Sequence, residues 1–362
     1  MRILHIAPQN ISDVPMTLVR AERSLGHDSR LVTFFRDPRG YDEDVCLELP
    51  FVSSEFAASV RRFFGNGAGR QVSNSLAATI PGELPQWHPP GVLANALMKT
   101  RERLWLPKLQ RFFRRFRFWE YDLYQFDGGL DFFRDGWTAK AIKKRGKRLS
   151  VLYTGSDLRT RGIIEPLHSR ADAHFTVELD HLLLDPTLNY VPFPFETEKY
   201  TWQPADEEKH TLRIGHAPTN RKAKGTEVIL DILAEVAAVR EIEVVLIENL
   251  SHEQAIEAKA TCDIFIDQIG DLGYGINALE ALALGVPTCT GLAPGFDEKF
   301  TDHPFVEVDA ATLYQAIIEL IDSAELRTRL SRIGREWVEK WHDSREIVRR
   351  MHATLGVPEA AV

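Results

Sequence analysis

Long apolar runs, paired cysteines and an excess of positive charge are all missing from this sequence of 362 residues. No apolar stretch reaches the roughly 18 residues that a membrane-spanning helix needs. The three cysteines, Cys46, Cys262 and Cys289, lie far apart and show neither metal nor disulfide spacing. We therefore expect free thiols, with the last two buried. The net charge is −8, so no general attraction to nucleic acid is expected.

The first residues of the chain enter a strand pattern at once, with Ile3, Leu4 and Ile6 apolar. We therefore expect no cleaved leader and a cytoplasmic location. The loop that follows lacks the Gly-X-Gly-X-X-Gly fingerprint of the usual dinucleotide site. Because the chain is long for a single core, and 44% apolar with 27% charged residues is a globular composition, we expect two domains.

Strand and helix patterns alternate along both halves of the chain, which predicts an α/β fold with parallel sheets. In the first half, strands are predicted at 2–7, 29–35, 123–126, 149–153, 173–177 and 190–191, with helices at 14–25 and 138–144. In the second half, strands are predicted at 212–216, 243–248, 263–268, 286–290 and 305–308, with helices at 226–239, 252–260, 278–284, 310–341 and 344–355. We place the domain boundary near 192–206 and expect a cleft between the strand ends of the two domains.

A glycine loop followed by one short helix stands out in the second half. Gly273 and Gly275 precede the strong helix formers of Ala278 to Leu284, and Gly285 ends the helix. Such a loop presents free backbone N–H groups and the positive end of the helix dipole, which suits phosphate. Glu280, one turn inside the helix, is placed to accept hydrogen bonds from two hydroxyls, such as those of a ribose. The alternative is a packing helix with one solvated Glu.

A basic amphipathic helix is predicted from Leu109 to Trp119. One leucine and three phenylalanines recur there at helical spacing, whereas arginines, with Lys108 just before the segment, fill the other faces. Such a helix can lie on an anionic membrane surface. The alternative is a surface helix whose phenylalanines pack on the domain core. The preceding residues 36–98 carry little pattern, and we interpret them as a surface connection, with a flexible acceptor-side flap as the alternative.

Four segments together resemble the GT-B fold glycosyltransferases, specifically the family 4-like, retaining, nucleotide-sugar-dependent group. The first is the N-terminal strand with Gly26-His27 after the first helix. Tyr153 to Arg159 is similar to that group's Tyr-His-Gly-Ser-Asp-Leu-Arg segment, and it follows a strand directly. His216 to Gly225 is similar to a basic loop that opens the donor domain. Gly273 to Pro287 resembles the donor-binding glycine loop and helix. The resemblance covers most of the chain and is weakest over 36–120.

This resemblance implies two Rossmann-like domains that face each other across a cleft. Residues 1–195 would form the acceptor-side domain and residues 206–342 the nucleotide-sugar donor domain. The last segment, 343–362, would carry a helix that crosses back to the first domain.

The resemblance also implies roles for individual residues. Arg221 and Lys224 would neutralise the donor diphosphate as the sugar leaves, and Asp157 is a third catalytic candidate. Glu280 would hold the ribose hydroxyls. The remaining donor-binding candidates are Asn220, Glu248, Ser251, Gly273, Tyr274, Gly275 and Ile276. The acceptor-side candidates are Asn10, Thr154, Gly155, Ser156 and Arg159.

Two positions depart from the pattern of the group. The first Glu of its paired-Glu motif falls on Leu272, with Asp271 one position away, and its His after the strand falls on Thr154. Both residues normally help to orient the donor sugar. The departures therefore raise the question whether activity is reduced or abolished.

The function implied is transfer of a sugar from a nucleotide sugar to a glycan, lipid-linked or other acceptor, with retention of configuration. No resident cofactor and no metal are expected, and the acceptor suggests cell-surface glycan biosynthesis with peripheral membrane contact through Leu109 to Trp119. One alternative is a degenerate GT-B protein that binds nucleotide or glycan without turnover. Another is a different GT-B enzyme, such as a nucleotide-sugar epimerase. The acidic balance disfavours a nucleic-acid partner.

Overall fold

The computed structural model describes residues 1–52, 82, 84–89, 91–204, 211–270 and 273–358. Their contacts divide into two compact units. Unit 1 contains the described residues of 1–194 together with 344–358, and unit 2 contains those of 195–343. Each unit is built on its own parallel β-sheet, so the α/β class expected from the sequence is confirmed.

Unit 1 contains a parallel sheet of seven strands. These are β1 (Arg2–Ala7), β2 (Asp28–Thr33), β3 (Val45–Cys46), β4 (Leu123–Asp127), β5 (Arg148–Tyr153), β6 (Ala173–Thr176) and β7 (Asn189–Tyr190). They lie side by side in the order β3-β2-β1-β4-β5-β6-β7. The order reverses direction between β1 and β4. In open α/β sheets, the carboxyl edge at such a reversal is where ligands bind.

In the described part of unit 1, five helices connect these strands. They are α1 (Val14–Ser24), α2 (Val92–Arg115), α3 (Trp137–Lys144), α4 (Glu165–His168) and α5 (His181–Leu184). The core between helices and sheet is rich in aromatic side chains, among them Phe118, Tyr124 and Phe126, which are fully buried.

Helix α2 contains most of the predicted basic amphipathic segment. Leu109 and Phe112 are buried, and Phe113, Phe116 and Trp119 pack against the same core. The apolar side of this segment therefore faces the interior of unit 1, as the second interpretation of the sequence expected. The arginines of the segment remain exposed.

Unit 2 contains a parallel sheet of five strands. These are β8 (Leu212–His216), β9 (Ile242–Leu246), β10 (Ile264–Gln268), β11 (Thr288–Thr290) and β12 (Val306–Glu307). Their order is β12-β11-β10-β8-β9, so this sheet reverses between β8 and β10. Its helices are α6 (Arg221–Lys224), α7 (Thr226–Ala237), α8 (His252–Ala260), α9 (Ile276–Leu284), α10 (Phe296–Lys299), α11 (Leu313–Asp322) and α12 (Ala324–His342).

The topology of unit 2 brings two loops to one place. Helix α6 follows β8, and helix α9 follows β10 after the glycine loop. Since β8 and β10 are adjacent and parallel, with Ile266 paired to His216, both helices begin at the carboxyl edge of the sheet at its reversal. Most candidate donor residues lie on these two loops and the helices that follow them, whereas Glu248 and Ser251 lie between β9 and α8.

The last helix, α13 (Ser344–Thr354), belongs to unit 1 and packs on α1. Its residues Ile347, Val348 and Met351 are buried. A polar contact accompanies this packing, because His352 Nε2 lies 3.1 Å from Glu22 Oε1. The C-terminal helix is therefore attached to unit 1 through both apolar and charged groups.

Candidate functional site

A short basic helix, α6, begins at the carboxyl edge of the unit 2 sheet. Asn220 caps it, since the Asn220 side-chain oxygen accepts a hydrogen bond from the Ala223 N–H at 3.1 Å. This cap fixes the start of α6 and so the directions of Arg221 and Lys224. Gly225 ends the helix in the left-handed conformation, with φ +72°.

Lys224 lies beside the start of α9. Its Nζ donates to Asp267 Oδ1 at 2.8 Å, and Asp267 Oδ2 accepts from the Gly275 N–H at 3.0 Å. A Cβ atom added to Gly275 would lie 3.5 Å from Lys224 Nζ, so the ammonium group and the glycine backbone are neighbours. The buried Asp267 carboxylate therefore holds a cation at a helix N-terminus.

The chemistry of this arrangement suits phosphate. The first N–H groups of α9 (Ile276–Leu284) have no acceptor within the helix, and the helix dipole favours negative charge at that end. Lys224 adds a full positive charge at the same place, and its side chain keeps 18% of its surface exposed. Backbone donors and an ammonium group together form a site of the kind that binds phosphate groups.

Glu280 is held by a lysine and a histidine side chain. Lys259 Nζ donates to Glu280 Oε2, and His252 Nε2 lies 2.7 Å from Glu280 Oε1. Lys259 also donates to Asn277 Oδ1 at 2.6 Å. Burial alone would raise the pKa of Glu280, but the charge of Lys259 and the hydrogen bond from His252 outweigh it and lower that pKa. The carboxyl is therefore ionised at neutral pH.

Arg221, Glu248 and Ser251 are also predicted donor residues. Arg221 donates to Glu248 Oε2 at 2.8 Å and to Glu227 Oε1 at 2.9 Å, so two predicted residues are in direct contact. Ser251 caps α8 in a reciprocal arrangement with Gln254, and His252 follows it directly. Their interaction with a nucleotide stays a prediction.

Gly273 and Tyr274 complete the glycine loop. Gly273 has φ +100°, which favours glycine, and its carbonyl accepts from the Gln268 side chain at 2.7 Å. Tyr274 is buried, and its ring stacks on Phe305 at 5.0 Å. The loop is therefore anchored in the core by its tyrosine, and Asp271 and Leu272 lie outside the described residues.

Sequence reasoning did not single out Asp267, Lys259 or His252. Asp267 is the last but one residue of β10, where it follows three apolar residues. A carboxylate in such a buried run needs a cationic or hydrogen-bonding partner. The sequence therefore already indicated that Asp267 has such a partner. Lys259 carried a weaker signal, because a lysine on a helix is usually solvated, whereas this one is only 1% exposed.

The segment after β5 in unit 1 is organised by Asp157. Its Oδ1 accepts from the N–H groups of Gly155 and Leu158, at 2.9 and 2.8 Å, and its Oδ2 accepts from the Thr154 N–H at 2.9 Å. Thr154 Oγ1 adds a bond of 3.3 Å to Oδ2. The carboxylate therefore shapes its own loop, and a catalytic role for Asp157 stays a prediction.

Arg159 is held by two carboxylates, the buried Asp180 and the partly buried Glu178. Its Nε and Nη2 donate to the two oxygens of Asp180 at 2.6 and 2.9 Å, and Nη2 lies 2.8 Å from Glu178 Oε2. Burial would lower the pKa of Arg159, but Glu178 and Asp180 outweigh it and raise that pKa. Arg159 thus stabilises the loop that contains Gly155, whereas the neighbouring Ser156 is exposed.

Asn10, the acceptor-side candidate after β1, is fully buried. Its amide nitrogen donates to Asp13 Oδ1 and to the Asp42 carbonyl, both at 2.8 Å, and its oxygen accepts from the Met16 N–H at 3.3 Å. These bonds join the loop after β1 to α1. A contact between Asn10 and an acceptor stays a prediction.

Metal and membrane signatures were also examined over the part of the chain that the structure describes. There, no group of three or more His, Cys, Asp and Glu side chains could hold a metal ion. Asp42-Glu43-Asp44 has the Asp-X-Asp spacing, but the Asp44 carboxylate is bound to Arg23 and to the Leu31 N–H. Among the described helices, none is long and apolar enough to cross a membrane.

Comparison with known protein families finds a match to part of unit 2. Residues 233–337 match the family model of the glycosyl transferases group 1, which is less than a third of the chain. The matched region includes Asp267, the glycine loop and Glu280. A search of the curated proteins found no significant match.

Solved structures resemble the chain over nearly its whole length. The lipopolysaccharide outer core galactosyltransferase WaaB has a TM-score of 0.57 at 12% identity, with 98% of this chain and 99% of that chain covered. Sucrose-phosphate synthase from Thermosynechococcus elongatus has a TM-score of 0.56 at 13% identity, with 98% of each chain covered. HepE from Anabaena, solved in complex with UDP-glucose, has a TM-score of 0.55 at 13% identity, with 98% of this chain and 99% of that chain covered. At these identities the likeness shows the fold alone, and the expected GT-B fold is confirmed.

Proposed function

We propose that this protein is a glycosyltransferase that binds a nucleotide-sugar donor at the carboxyl edge of the unit 2 sheet. One observation carries the proposal: Lys224 is fixed by buried Asp267 beside Gly275, at the N-terminus of α9. The match of residues 233–337 to the glycosyl transferases group 1 family supports it. A diphosphate seated there would meet an ammonium group and helix N–H donors together.

The chemistry that this cradle can perform is stabilisation of a leaving group. As the bond between the anomeric carbon and the diphosphate oxygen breaks, negative charge develops on that oxygen. Lys224 and the α9 N-terminus are fixed before the reaction, so they lower the barrier without reorganising. Arg221, less than half exposed, is a second cation on the same helix. Glu280, ionised by Lys259 and His252, would accept from the ribose hydroxyls.

We further propose that transfer retains configuration at the anomeric carbon. The departing diphosphate oxygen would take the proton from the acceptor hydroxyl, whose oxygen forms the new bond to the same face of the sugar. No carboxylate base is required on this route, and no metal is expected because Lys224 and the helix N-terminus supply the positive charge. The acceptor is proposed to be a glycan or a lipid-linked sugar of cell-surface glycan biosynthesis.

A thermal-shift panel with UDP, GDP, ADP, CDP and dTDP and their sugars tests the donor site. A nucleotide at about 100 times its dissociation constant should stabilise the protein by roughly 2.7 kcal/mol. Lys224→Met should abolish this stabilisation, and its unfolding temperature without nucleotide shows separately what the loss of the Asp267 partner costs in folding. Lys222→Met removes the same charge from an exposed position of the same four-residue helix, so it should bind as the wild type does. If no nucleotide stabilises the wild type, the donor-site proposal is wrong.

Glu280 needs a conservative variant in the same panel. Glu280→Ala would leave Lys259 buried without its carboxylate, so lost folding and lost binding would be confused. Glu280→Gln keeps the size of the side chain and can still accept from a hydroxyl. We expect this variant to bind nucleosides that carry a ribose more weakly than wild type does, and to bind inorganic diphosphate equally well. Equal weakening of both would place Glu280 at the phosphates instead.

A catalytically degenerate GT-B protein is the second candidate. Thr154 stands where the family has His, and Arg221 is engaged by two protein carboxylates, Glu227 and Glu248. Such a protein would bind a nucleotide sugar and neither transfer nor hydrolyse the sugar. Incubation of the stabilising donor with a mixed acceptor panel, followed by nucleoside-diphosphate detection, distinguishes the two candidates. Diphosphate release by wild type but not by Lys224→Met supports the enzyme.

A lipid-linked acceptor would place the protein at an anionic membrane surface. Because the phenylalanines of Leu109 to Trp119 face the core, contact would depend on the exposed cations of α2, such as Arg111, Arg114 and Arg115. Co-sedimentation with vesicles containing anionic lipid should then fall steeply with salt and fall in a triple Arg→Gln variant. Equal sedimentation with neutral vesicles would contradict this mode of contact.

A further inference from the structure

Glu280 is covered by other side chains in unit 2, although the proposed function needs it to meet a ligand. Its side chain is 2% exposed, and it lies in the second turn of α9. Gly275, beside Lys224, is about 7.5 Å away along the helix axis, at about 1.5 Å per residue. A nucleotide whose diphosphate is bound at Lys224 would therefore bring its ribose to Glu280 and find the carboxylate covered.

The inner side of the carboxylate is closed by buried groups. Lys259 Nζ donates to Glu280 Oε2 and, at 2.6 Å, to Asn277 Oδ1. The Asn277 amide in turn donates to the Ala217 carbonyl, just after β8, at 3.0 Å. Lys259 is 1% exposed, and its Nζ lies 5.9 Å from the centre of the Phe265 ring. Because these contacts join α8, α9 and the sheet, Lys259 is fixed on Glu280 by the core of unit 2.

The outer side of the carboxylate is closed by His252. Its Nε2 lies 2.7 Å from Glu280 Oε1, whereas the imidazole side chain keeps 34% of its surface exposed. Since the ionised carboxylate can only accept, Nε2 donates to it and carries a proton whether the ring is neutral or charged. Of the two side chains that hold Glu280, His252 is thus the one that borders solvent.

The start of α8 positions His252 and leaves its side chain able to turn. His252 is the first residue of that helix and follows Ser251, whose side chain accepts from the Gln254 N–H. The Gln254 side chain accepts in return from the Ser251 N–H at 3.1 Å. This reciprocal cap fixes the backbone, whereas the imidazole can rotate into water about χ1 and χ2. Uncovering Glu280 therefore requires no change of the backbone.

We propose that His252 is a specificity-determining residue, which covers Glu280 when no nucleotide is bound and yields Oε1 to the ribose hydroxyls of a nucleotide. The inference rests on the proposed donor site and adds to it a competition for one carboxylate oxygen. Lys259 stays on Oε2 throughout, so the carboxylate remains ionised. The imidazole turns outward and exchanges its bond to Glu280 for a bond to water.

The charge of His252 sets the strength of this competition. Histidine takes up a proton between about pH 8 and 5, and a protonated ring forms a charge-assisted bond to Glu280. Glu280 on α9 and Lys259 on α8 are the charged partners within this cluster. The neighbouring charged groups pair with one another, Lys224 with Asp267, and Arg221 with Glu248 and Glu227. The ribose contact should therefore weaken as pH falls, because the hydroxyls must replace a stronger bond.

Matched nucleotides measure the hydroxyl contact alone. Calorimetry with UDP, GDP, ADP and CDP, each beside its 2′,3′-dideoxy counterpart, gives a ratio of two affinities at each pH. Both members of a pair have the same base and diphosphate, so the contribution of Lys224 and the ionisation of the phosphate cancel. For wild type we expect the ribonucleotide to bind at least about tenfold more tightly at about pH 8, because hydrogen bonds to a charged group are strong. The ratio should fall about threefold by about pH 5.5.

Two substitutions of His252 separate its covering role from its charge. His252→Ala uncovers Glu280, so the ratio should exceed that of wild type at every pH and should not change with pH. His252→Gln keeps a donor near the position of Nε2 but takes up no proton. Its ratio should lie below that of His252→Ala and be equally independent of pH. Glu257→Gln, a change at an exposed position of the same helix, should keep the wild-type profile.

Thermal unfolding without nucleotide separates this role from a structural one. If His252 only stabilised the packing of α8 on α9, His252→Ala would lower the unfolding temperature. It would then weaken both members of a nucleotide pair equally, so the ratio and its pH profile would match those of wild type. That result would overturn the inference. A ratio below that of wild type in His252→Ala would also overturn it, because the imidazole would then contact the nucleotide itself.

Failure of this inference is distinguishable from failure of the donor site. If wild type binds the ribonucleotide and its dideoxy counterpart equally, the hydroxyl contact is absent and the inference is wrong, whereas the phosphate site at Lys224 stands. If wild type binds neither member of any pair, the donor site is wrong and the inference is wrong with it.

Discussion

A buried histidine at the centre of unit 1 allows a quantitative prediction. His5, on β1, is fully buried, with Nδ1 3.0 Å from Asp127 Oδ2 and Nε2 3.0 Å from Glu22 Oε2. Both ring nitrogens face carboxylate oxygens, so both must carry a proton and the ring is a cation. Burial alone would lower the pKa of His5, but Glu22 and Asp127 outweigh it and raise that pKa.

His5→Gln removes this cation and leaves two buried carboxylates. Breaking a buried pair by removing one partner costs about 3–5 kcal/mol, because the remaining charge is uncompensated. For a unit of this size, each kcal/mol lowers the unfolding temperature by roughly 2–4 °C. We therefore expect the unit 1 transition to fall by about 6–20 °C. His88→Gln, the same change at an exposed position of unit 1, should have no measurable effect.

The pH dependence has a definite sign. A histidine whose folded pKa is raised contributes stability that is full below the ordinary pKa of about 6.5 and is lost as pH rises through the folded value. Wild-type unit 1 should therefore lose stability from about pH 6.5 upward, and His5→Gln should lose this slope. Calorimetric unfolding at several pH values measures both effects. A cost below about 1 kcal/mol with an unchanged slope would refute the buried cation.

Two substitutions and one labelling experiment test the packing of unit 2. Gly291→Ala should lower the free energy of unfolding by at least about 2 kcal/mol in denaturant titration, because the added Cβ would overlap the backbone carbonyl oxygen of Gly270. Lys259→Met should cost about 3–5 kcal/mol, since Glu280 would stay buried without its cation, and adding Glu280→Gln should restore most of it. Cys289 should resist maleimide until the protein unfolds, because burial raises the pKa of its thiol to about 12.

The strands were predictable because parallel strands buried on both faces read as short apolar runs. β1, β4 and β8 were found within a residue of their observed ends. β3 was missed, since a two-residue edge strand at Val45–Cys46 is too short to show a pattern. The free, buried state of Cys262 and Cys289 was also predicted and is confirmed.

Helix α2 was only half predicted. The helical period was recognised from Leu109, whereas the helix begins at Val92 and contains Pro107. Proline inside a helix removes one hydrogen bond and normally signals an end, so the sequence argued against continuity there. The first half also exposes Val92 and Leu93, which gives it no clear amphipathic face. Its position is decided by tertiary contacts, such as the bond from Trp105 to the Pro50 carbonyl.

For the candidate donor site, sequence reasoning identified the charges and missed their partners. Arg221, Lys224 and Glu280 were chosen through the resemblance, but Asp267 and Lys259 come from other elements and meet them only in the folded unit. A counter-charge across 43 residues, as between Lys224 and Asp267, has no local signal in the sequence. Only the strand order β10-β8 brings them together.

Those partners bear on whether the site is open to a ligand. Lys224 has three donors, and a single bond to Asp267 holds its position while the side chain stays partly exposed. A phosphate can therefore bind Lys224 without displacing Asp267, whose second oxygen is engaged by Gly275. Each oxygen of Glu280 likewise accepts one bond and can accept another. The internal pairing thus preorganises both groups, but only Lys224 keeps exposed surface for a ligand, because the Glu280 side chain is 2% exposed. Phosphate binding at Lys224 is therefore the firmer part of the proposal, and the comparison of nucleosides with inorganic diphosphate tests the ribose contact of Glu280.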